Sequence, residues 1–341
     1  MAGTDDFVKR VERMVREQLR GQRVGYLLGA GASHLDGQGY PLANELWERI
    51  RDRVESSQRA AIQDKLDEGA DGLEEALDLL DTGGAADSPH RHSVAAAIGD
   101  YFGTLEPPLD AHGDFVARLA RRTESAESVF CLNYDPLLER AAERSGVRLV
   151  DGFVGAEQAY FDPAVFQEQI GTIQRGRRHP QVRWVTGVIH LFKLHGSVGW
   201  YESPSTGIRR CCYTSPIPPG TRRLMVPPQH RKATDTTTPP YAALWSEFRR
   251  LLRHGPSPIY RLACVGYGMR DHHVNAVIDN GLARSNLTLL VLARSLTDDI
   301  FYHWSPKTNV IIVTRNRCSL YSEVGPGHPD LWNFARLSKE V

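Results

Sequence analysis

Short apolar runs, each closing on a glycine or small polar turn, alternate along this chain with stretches whose apolar residues recur every three or four positions. The first such stretch covers residues 6–21, where Phe7, Val8, Val11, Met14, Val15 and Leu19 fall on one helical stripe. That stripe is either packed on the core, the favoured reading, or is an oligomer contact. Val24 to Leu28 reads as a strand running into a tight glycine turn, Gly29-Ala30-Gly31-Ala32-Ser33. Leu46, Trp47, Ile50 and Val54 predict a helix over 42–54, and residues 59–122 continue as helical pieces broken at Gly83-Gly84-Ala85 and Pro107-Pro108. Ser128 to Leu132 is a buried strand, followed by Asn133-Tyr134-Asp135-Pro136 and a helix through Leu137, Leu138 and Ala141. Residues 151–183, rich in Gly, Pro, Gln and Arg, predict loops with at most one short helix. Val188 to Leu194 ends at His195-Gly196-Ser197, and Tyr260 to Val265 ends at Gly266-Tyr267-Gly268, with Asp271 placed to open the next helix. Leu287 to Leu292 and Val310 to Val313 add two strands, and Leu331 to Leu337 a closing helix.

Apolar runs that do not themselves alternate apolar and polar, interleaved with helices, predict a parallel sheet covered on both faces. The expected architecture is α/β: a Rossmann-like, doubly wound, mainly parallel sheet with a helical insertion module and no zinc ribbon. Residues 1–41 hold the N-terminal helix and first strand with its nucleotide loop, and 42–125 the helical insertion. Residues 126–341 hold the rest of the Rossmann-like domain, with a loop-rich insertion near 151–185. In such sheets ligands lie beyond the carboxyl ends of the strands, near a topological switch point. The four turns Gly29 to Ser33, Asn133 to Asp135, His195 to Ser197 and Gly266 to Gly268 are therefore expected to face one pocket.

Composition narrows the function. At 341 residues, 41% of them hydrophobic, the chain can close a sizeable core. Its 41 lysines and arginines balance 41 aspartates and glutamates, so no net field exists to hold a polyanion or an anionic membrane. Direct nucleic-acid binding is not expected. No run of about eighteen apolar residues occurs, and Met1-Ala2-Gly3-Thr4-Asp5-Asp6 lacks the order of a signal peptide, which points to the cytoplasm. Cys131, Cys211, Cys212, Cys264 and Cys318 are odd in number and form no CxxC pair, which argues against disulfides and a zinc knuckle. Arg175 to Arg178 and Arg222-Arg223 read as solvated loop charges.

The turns carry the candidate chemistry. GAGAS after a strand leaves amides free to hold a diphosphate, or is a structural turn; His34 stands where a full dinucleotide fingerprint has its last glycine. Asn133 and Asp135 point the same way from an extended segment. An asparagine amide can hold a water and a ribose hydroxyl together, whereas Asp135 either accepts from hydroxyls or caps the following helix, with Pro136 at its first position. His195 can serve as a base near neutrality, with Gly196 letting a ligand approach; alone, a histidine at a strand end is more often structural. Lys193 shares its face or makes a salt bridge, and His272-His273 reads as surface or second layer. Gly266-Tyr267-Gly268 makes room for the adenosine half, with Tyr267 packing on it, or is a plain turn.

Taken in order, LLGAGAS, CLNYDPLLE, LFKLHGSVGW and CVGYGMRDHHVN resemble the sirtuin-like NAD hydrolases of bacterial antiphage defence, over Leu27 to Asn275. Met225-Val226-Pro227-Pro228, Tyr241 and Trp245 extend the likeness. The resemblance implies an NAD-binding Rossmann-like sheet with a helical module, and catalysis by Asn133 and His195. It also assigns Gly29, Ala30, Gly31, Ser33, Asp135, Ser197, Gly266 and Tyr267 to the NAD pocket. Sirtuin deacylases carry a four-cysteine zinc ribbon and an Asp-Phe-Arg loop soon after the GAG turn. Here Gly39-Tyr40-Pro41 leads to Leu42-Ala43-Asn44 and no ribbon is present, which counts against deacylation; no metal is expected.

The implied activity is hydrolysis of the nicotinamide–ribose bond of NAD, depleting NAD in an abortive-infection response. The alternative is a non-catalytic module that senses NAD or an NAD derivative and controls a partner. Less favoured is an NAD-dependent deacylase or ADP-ribosyltransferase. The resemblance to short stand-alone members further implies a homo-oligomer and a complex with a HerA-type ATPase.

Overall fold

The computed structural model describes residues 2–81, 88–122, 126–174, 181–213, 215–226, 237–253 and 257–340. The break at Gly83-Gly84-Ala85, the cluster Arg175 to Arg178 and the Pro227-Pro228 pair lie outside the described residues. The apolar runs assemble into one sheet. Across it lie Arg148–Val150, Val188–Lys193, Glu127–Cys131, Val24–Leu28, Arg261–Val265, Thr288–Leu292 and Val310–Val313, all parallel. Arg317–Leu320 and Glu323–Pro326 continue it antiparallel. Setting aside the short edge strand at 148–150, the parallel strands follow the 3-2-1-4-5-6 order of the doubly wound dinucleotide folds. The switch point lies between Val24–Leu28 and Arg261–Val265, where the chain winds outward in both directions.

Successive residues of each strand feed opposite cores, so the strands read as unbroken apolar runs. Leu27, Phe130, Phe192, Cys264 and Val291 pack on one face, against helices Tyr241–Leu252, His272–Leu282 and Asp298–Trp304. Tyr26, Leu28, Val129, Leu191, Val265 and Leu292 pack on the other. Helices Ala2–Leu19, Asp110–Leu119, Leu137–Arg144 and Phe334–Leu337 cover that face. The first of these buries Phe7, Val11, Val15 and Leu19, so its stripe serves the core.

The predicted helical insertion is smaller than 42–125. Helices Ala43–Ile50, Ser56–Asp67, Gly72–Leu80 and Pro89–Phe102 share a third core built on Leu46, Trp47, Ile50, Ile62, Leu77 and Ile98. The Asp110–Leu119 helix belongs to the sheet instead, because Phe115, Val116 and Leu119 face it. Pro107-Pro108 lies between the two sets of helices.

Residues 151–185 hold the one short helix expected, Pro163–Phe166, but also short strands that the sequence reading missed. Phe153–Val154 and Ala159–Phe161 join Gly207–Arg210, Gly196–Ser203 and Arg222–Met225 in an antiparallel five-stranded sheet, and Gly171–Gln174 pairs with Gln181–Trp184. These strands are short and two of the pairs are widely separated in sequence, so no local period announces them. Gly196–Ser203 starts straight after the Val188–Lys193 strand and a two-residue turn, and enters the second sheet. Gly196 takes φ +80°, where a side chain would also meet the Leu224 carbonyl at 2.3 Å.

Two histidines make folding acid-sensitive. His112 is buried against Phe334, its ring centroid 4.6 Å away, and burial lowers its pKa to about 3. Burial lowers that of His190 to about 4, with Glu247 opposing. The unfolded chain binds these protons from about pH 6.5 downward while the folded chain does not. Stability is expected to hold above about pH 6.5 and to fall toward pH 4 by up to about 1.4 kcal/mol per unit for each histidine. Urea unfolding across that range checks this; His112→Leu should flatten the slope, and an unchanged slope contradicts it.

Candidate active site

The four polar turns arrive together because the strands beneath them are in register. Leu28 pairs with Cys131 and Val265, and Cys131 with Lys193. The ladder continues past the strand ends: Leu132 donates to the Leu28 carbonyl, and Leu194 to that of Cys131, each at 2.9 Å. Asn133 and His195 thus each stand two residues beyond a pair of level residues on neighbouring strands.

At the switch point the two glycine turns interlock. Gly29 and Gly31 donate their amides to the Val265 and Gly266 carbonyls at 3.0 and 2.8 Å, and Ala32 donates to Gly29 at 2.9 Å. A Cβ on Gly29 would stand 2.6 Å from the Tyr267 Cα, and one on Gly31 2.8 Å from the Gly266 Cα. Gly266 lies at φ +64°, with its missing Cβ 2.3 Å from the Ala32 nitrogen. This corrects the expectation of free amides: the glycines let two backbones touch, and the amides of Gly29 and Gly31 are spent on that contact. Ala30–His34 forms a short helix with Gly29 at its N-cap rather than an open loop.

A cavity of about 310 Å³ opens beside this contact. Of the residues the sequence nominated, Gly29, Ala30, Ser33, Asn133, Asp135, His195, Gly266 and Tyr267 line it. Gly31 and Ser197 do not. Gly31 lines a smaller cleft of about 90 Å³ with His34, Arg294 and Trp332, which shares Gly266 with the larger cavity. Ser197 is fully buried and donates its hydroxyl to the Tyr134 carbonyl at 3.1 Å. Tyr40, Leu46 and Phe102 of the helical module close one side, and Asp71, Glu74, Arg270 and Asp271 add charge. Arg270 and Asp271 belong to the CVGYGMRDHHVN motif, whereas Leu46, Asp71, Glu74 and Phe102 carry no motif and gain a role only because the helical module covers the cavity.

Asn133 is held from its nitrogen. Nδ2 donates to the Gly29 carbonyl at 2.9 Å and to Ser33 Oγ at 2.7 Å. A carbonyl can only accept, so the amide's orientation is set and both its hydrogens are committed. What Asn133 can offer a ligand is its carbonyl oxygen, an acceptor for a hydroxyl or a water.

His195 is 2% exposed, and its Nε2 lies 3.4 Å from Nε2 of His273. Trp245 packs against both rings, with centroids 6.3 and 4.9 Å away, and donates its indole N–H to the Leu194 carbonyl at 3.0 Å. His273 does not line the cavity but touches His195, which is the second-layer alternative of the sequence reading. The available signal was Asp271, which does stand at the N-cap of His272–Leu282. A helix starting at the crevice offers its first turn to it.

Asp135 caps the helix after it: Oδ1 accepts the Leu137 amide at 3.1 Å, and the helix begins at Leu137, one residue later than expected. Lys193 makes the salt bridge. It is wholly buried, donates to the Asp135 carbonyl, and meets Glu139 Oε1 at 3.0 Å. Burial works against its charge, but Glu139 holds its pKa above the usual lysine value. Tyr213 donates to the same Glu139 oxygen at 2.9 Å. Tyr267 is buried and keeps its hydroxyl on Asn275 Oδ1 at 3.0 Å. Among the described residues, no group of three or more His, Cys, Asp or Glu is placed to hold a metal ion.

Residues 127–300, which carry Asn133, His195, Gly266 and His273, match the SIR2-like domain. The chain belongs to the SIR2-like family. No curated protein matches it. Among solved structures, it is similar to a Sir2 homologue mutant in complex with 2′-O-acetyl-ADP-ribose, at 13% identity and a TM-score of 0.45 over 96% of both chains. A Sir2 homologue–NAD complex is 13% identical with a TM-score of 0.44, over 96% of this chain and 91% of the other. A Sir2 protein bound to a propionylated peptide shows the same identity and TM-score, over 97% and 98%.

The Lys193 cluster under the NYD turn of this SIR2-like chain is a stability determinant. Lys193→Met leaves the Glu139 carboxylate buried without its cation and is expected to cost about 3–5 kcal/mol in denaturant unfolding. Adding Glu139→Gln should recover much of that loss; a double variant no more stable than the single one contradicts the pairing.

Proposed function

We propose that the chain is an NAD glycohydrolase that releases nicotinamide and ADP-ribose. The observation carrying this reading is that Asn133 and His195 line one cavity at the carboxyl edge of the switch point, in a SIR2-like chain. NAD already carries a cationic pyridinium, so the leaving group needs no proton, and the barrier lies in an oxocarbenium-like ribose. The protein's work is to hold that ribose, exclude bulk water and place one water beneath the anomeric carbon. The Asn133 carbonyl accepts from that water or a ribose hydroxyl. His195 takes a proton from the hydroxyl or the water. Ser33, whose oxygen already accepts from Asn133, has its own hydrogen to donate. The cavity is near the lower end of the roughly 300–1,000 Å³ that ligand pockets span, so we assign it the nicotinamide riboside half. Gly29, Ala30, Ser33, Asp135, Gly266 and Tyr267 line the bound nucleotide, and Gly31 and Ser197 support them from behind.

Purified Asn133→Ala and His195→Ala proteins are each expected to release nicotinamide at least about 100-fold more slowly than the parent. NAD should still raise their melting temperature. Parental rates in both variants sink the assignment. A parent whose melting temperature rises in NAD while the NAD stays intact would instead be a sensing module.

We place this activity in the cytoplasm, as NAD depletion in antiphage defence. Among the described residues no helix is long and apolar enough to cross a membrane. An NAD hydrolase without a brake drains the cell that makes it, so we assign control to homo-oligomerisation and to a partner of the HerA-type ATPase class. Native mass analysis of protein isolated with its genetic neighbour should show a complex. A lone monomer, fully active without additions, contradicts this.

A further inference from the structure

The two imidazoles at this site constrain each other. With 3.4 Å between the Nε2 atoms of His195 and His273, one hydrogen can lie between them. Two bare nitrogens would oppose lone pair to lone pair, and two N–H groups would collide, so the neutral rings must hold opposite tautomers. The donor ring carries its hydrogen on Nε2 and has a basic Nδ1. The acceptor ring carries its hydrogen on Nδ1 and has no basic nitrogen left.

We propose that His195 is the donor ring and that His273, by accepting its Nε2 hydrogen, is the positioning residue that sets the tautomer of His195. This deepens the NAD-cleaving reading and rests on it for its kinetic consequences. Two arguments favour the assignment. A base needs a lone pair, and only this arrangement gives His195 one without breaking the contact. His273 also lies in the first turn of an eleven-residue helix, where the positive end of the helix dipole disfavours a cation. When His195 works, the O–H bond of a ribose hydroxyl or water breaks and its proton passes to His195 Nδ1, the electron pair staying on oxygen. The imidazolium so formed holds His273 through a charge-assisted hydrogen bond. An orienting group behind the base is the arrangement used by hydrolase triads, here with a neutral ring in place of a carboxylate. Trp245, tied to the Leu194 carbonyl, keeps the two rings facing.

The test compares His273→Leu, which keeps the bulk against Trp245 and removes the acceptor, with His273→Gln, whose amide oxygen can accept in the same place. The leucine variant is expected to lose about 10- to 100-fold in kcat with KM within about threefold of the parent. The glutamine variant should recover most of the loss. Nitrogen-15 spectra of histidine-labelled protein, assigned with His195→Ala, should show His195 protonated at Nε2 in the parent and in His273→Gln. His273→Leu should show a tautomer mixture. A leucine variant with parental kcat, a glutamine variant as slow as leucine, or a parent with the His195 hydrogen on Nδ1 overturns the proposal. If the parent itself does not cleave NAD, the proposed function fails on its own account, and the spectra alone decide the tautomer.

Discussion

Everything at the site depends on a parallel hydrogen-bond ladder that does not stop where the strands stop. Leu28, Cys131, Lys193 and Val265 are level, and the ladder runs on into Leu132 and Leu194. A slip of one residue in any pairing turns a strand's side chains to the opposite face. Here it would also carry Asn133 or His195 out of the crevice. Because both faces of the sheet are packed, each strand pays for a slip in two cores at once. Burial far from the cavity is thus what brings an amide and an imidazole to one cavity.

The parts flanking the ladder complete the pocket in different ways. The helical module shares its core with Leu137, Val198 and Met225 and reaches the cavity through Tyr40, Leu46 and Phe102, supplying an apolar wall. Beneath the Asn133–Asp135 turn, Lys193 ties a backbone carbonyl to Glu139 on the next helix. That linkage is costly to bury and pins the turn from below. Above it, Asn133 is pinned from its nitrogen by Gly29 and Ser33. The turn is held on two sides by groups from three separate stretches of chain.

The parts legible in the sequence are those whose signals are local. Runs such as Val24 to Leu28 and Arg261 to Val265 are apolar because both of their faces are buried, and that marks a parallel sheet without further information. The polar residues ending them follow from the rule that such sheets bind ligands at their carboxyl ends. What stayed hidden depends on long-range pairing. Gly196–Ser203 finds partners at 207–210 and 222–225, and the 153–161 strands join the same sheet without any period to declare it. The Asp110–Leu119 helix reads as one more amphipathic piece after the helices before it, and only what Phe115 faces sets it apart. His273 needed a distance, since nothing in a His-His pair tells which ring turns inward.

The interlocked glycines change what a tolerance map of this protein would mean. Gly29, Gly31 and Gly266 sit where one backbone rests on another, so even a methyl group forces the strands of the switch point apart. Substitution there abolishes function by prising the molecule open, whichever molecule it binds. Strict retention of these positions among descendants would record the closeness of two chain segments rather than the grip on a phosphate.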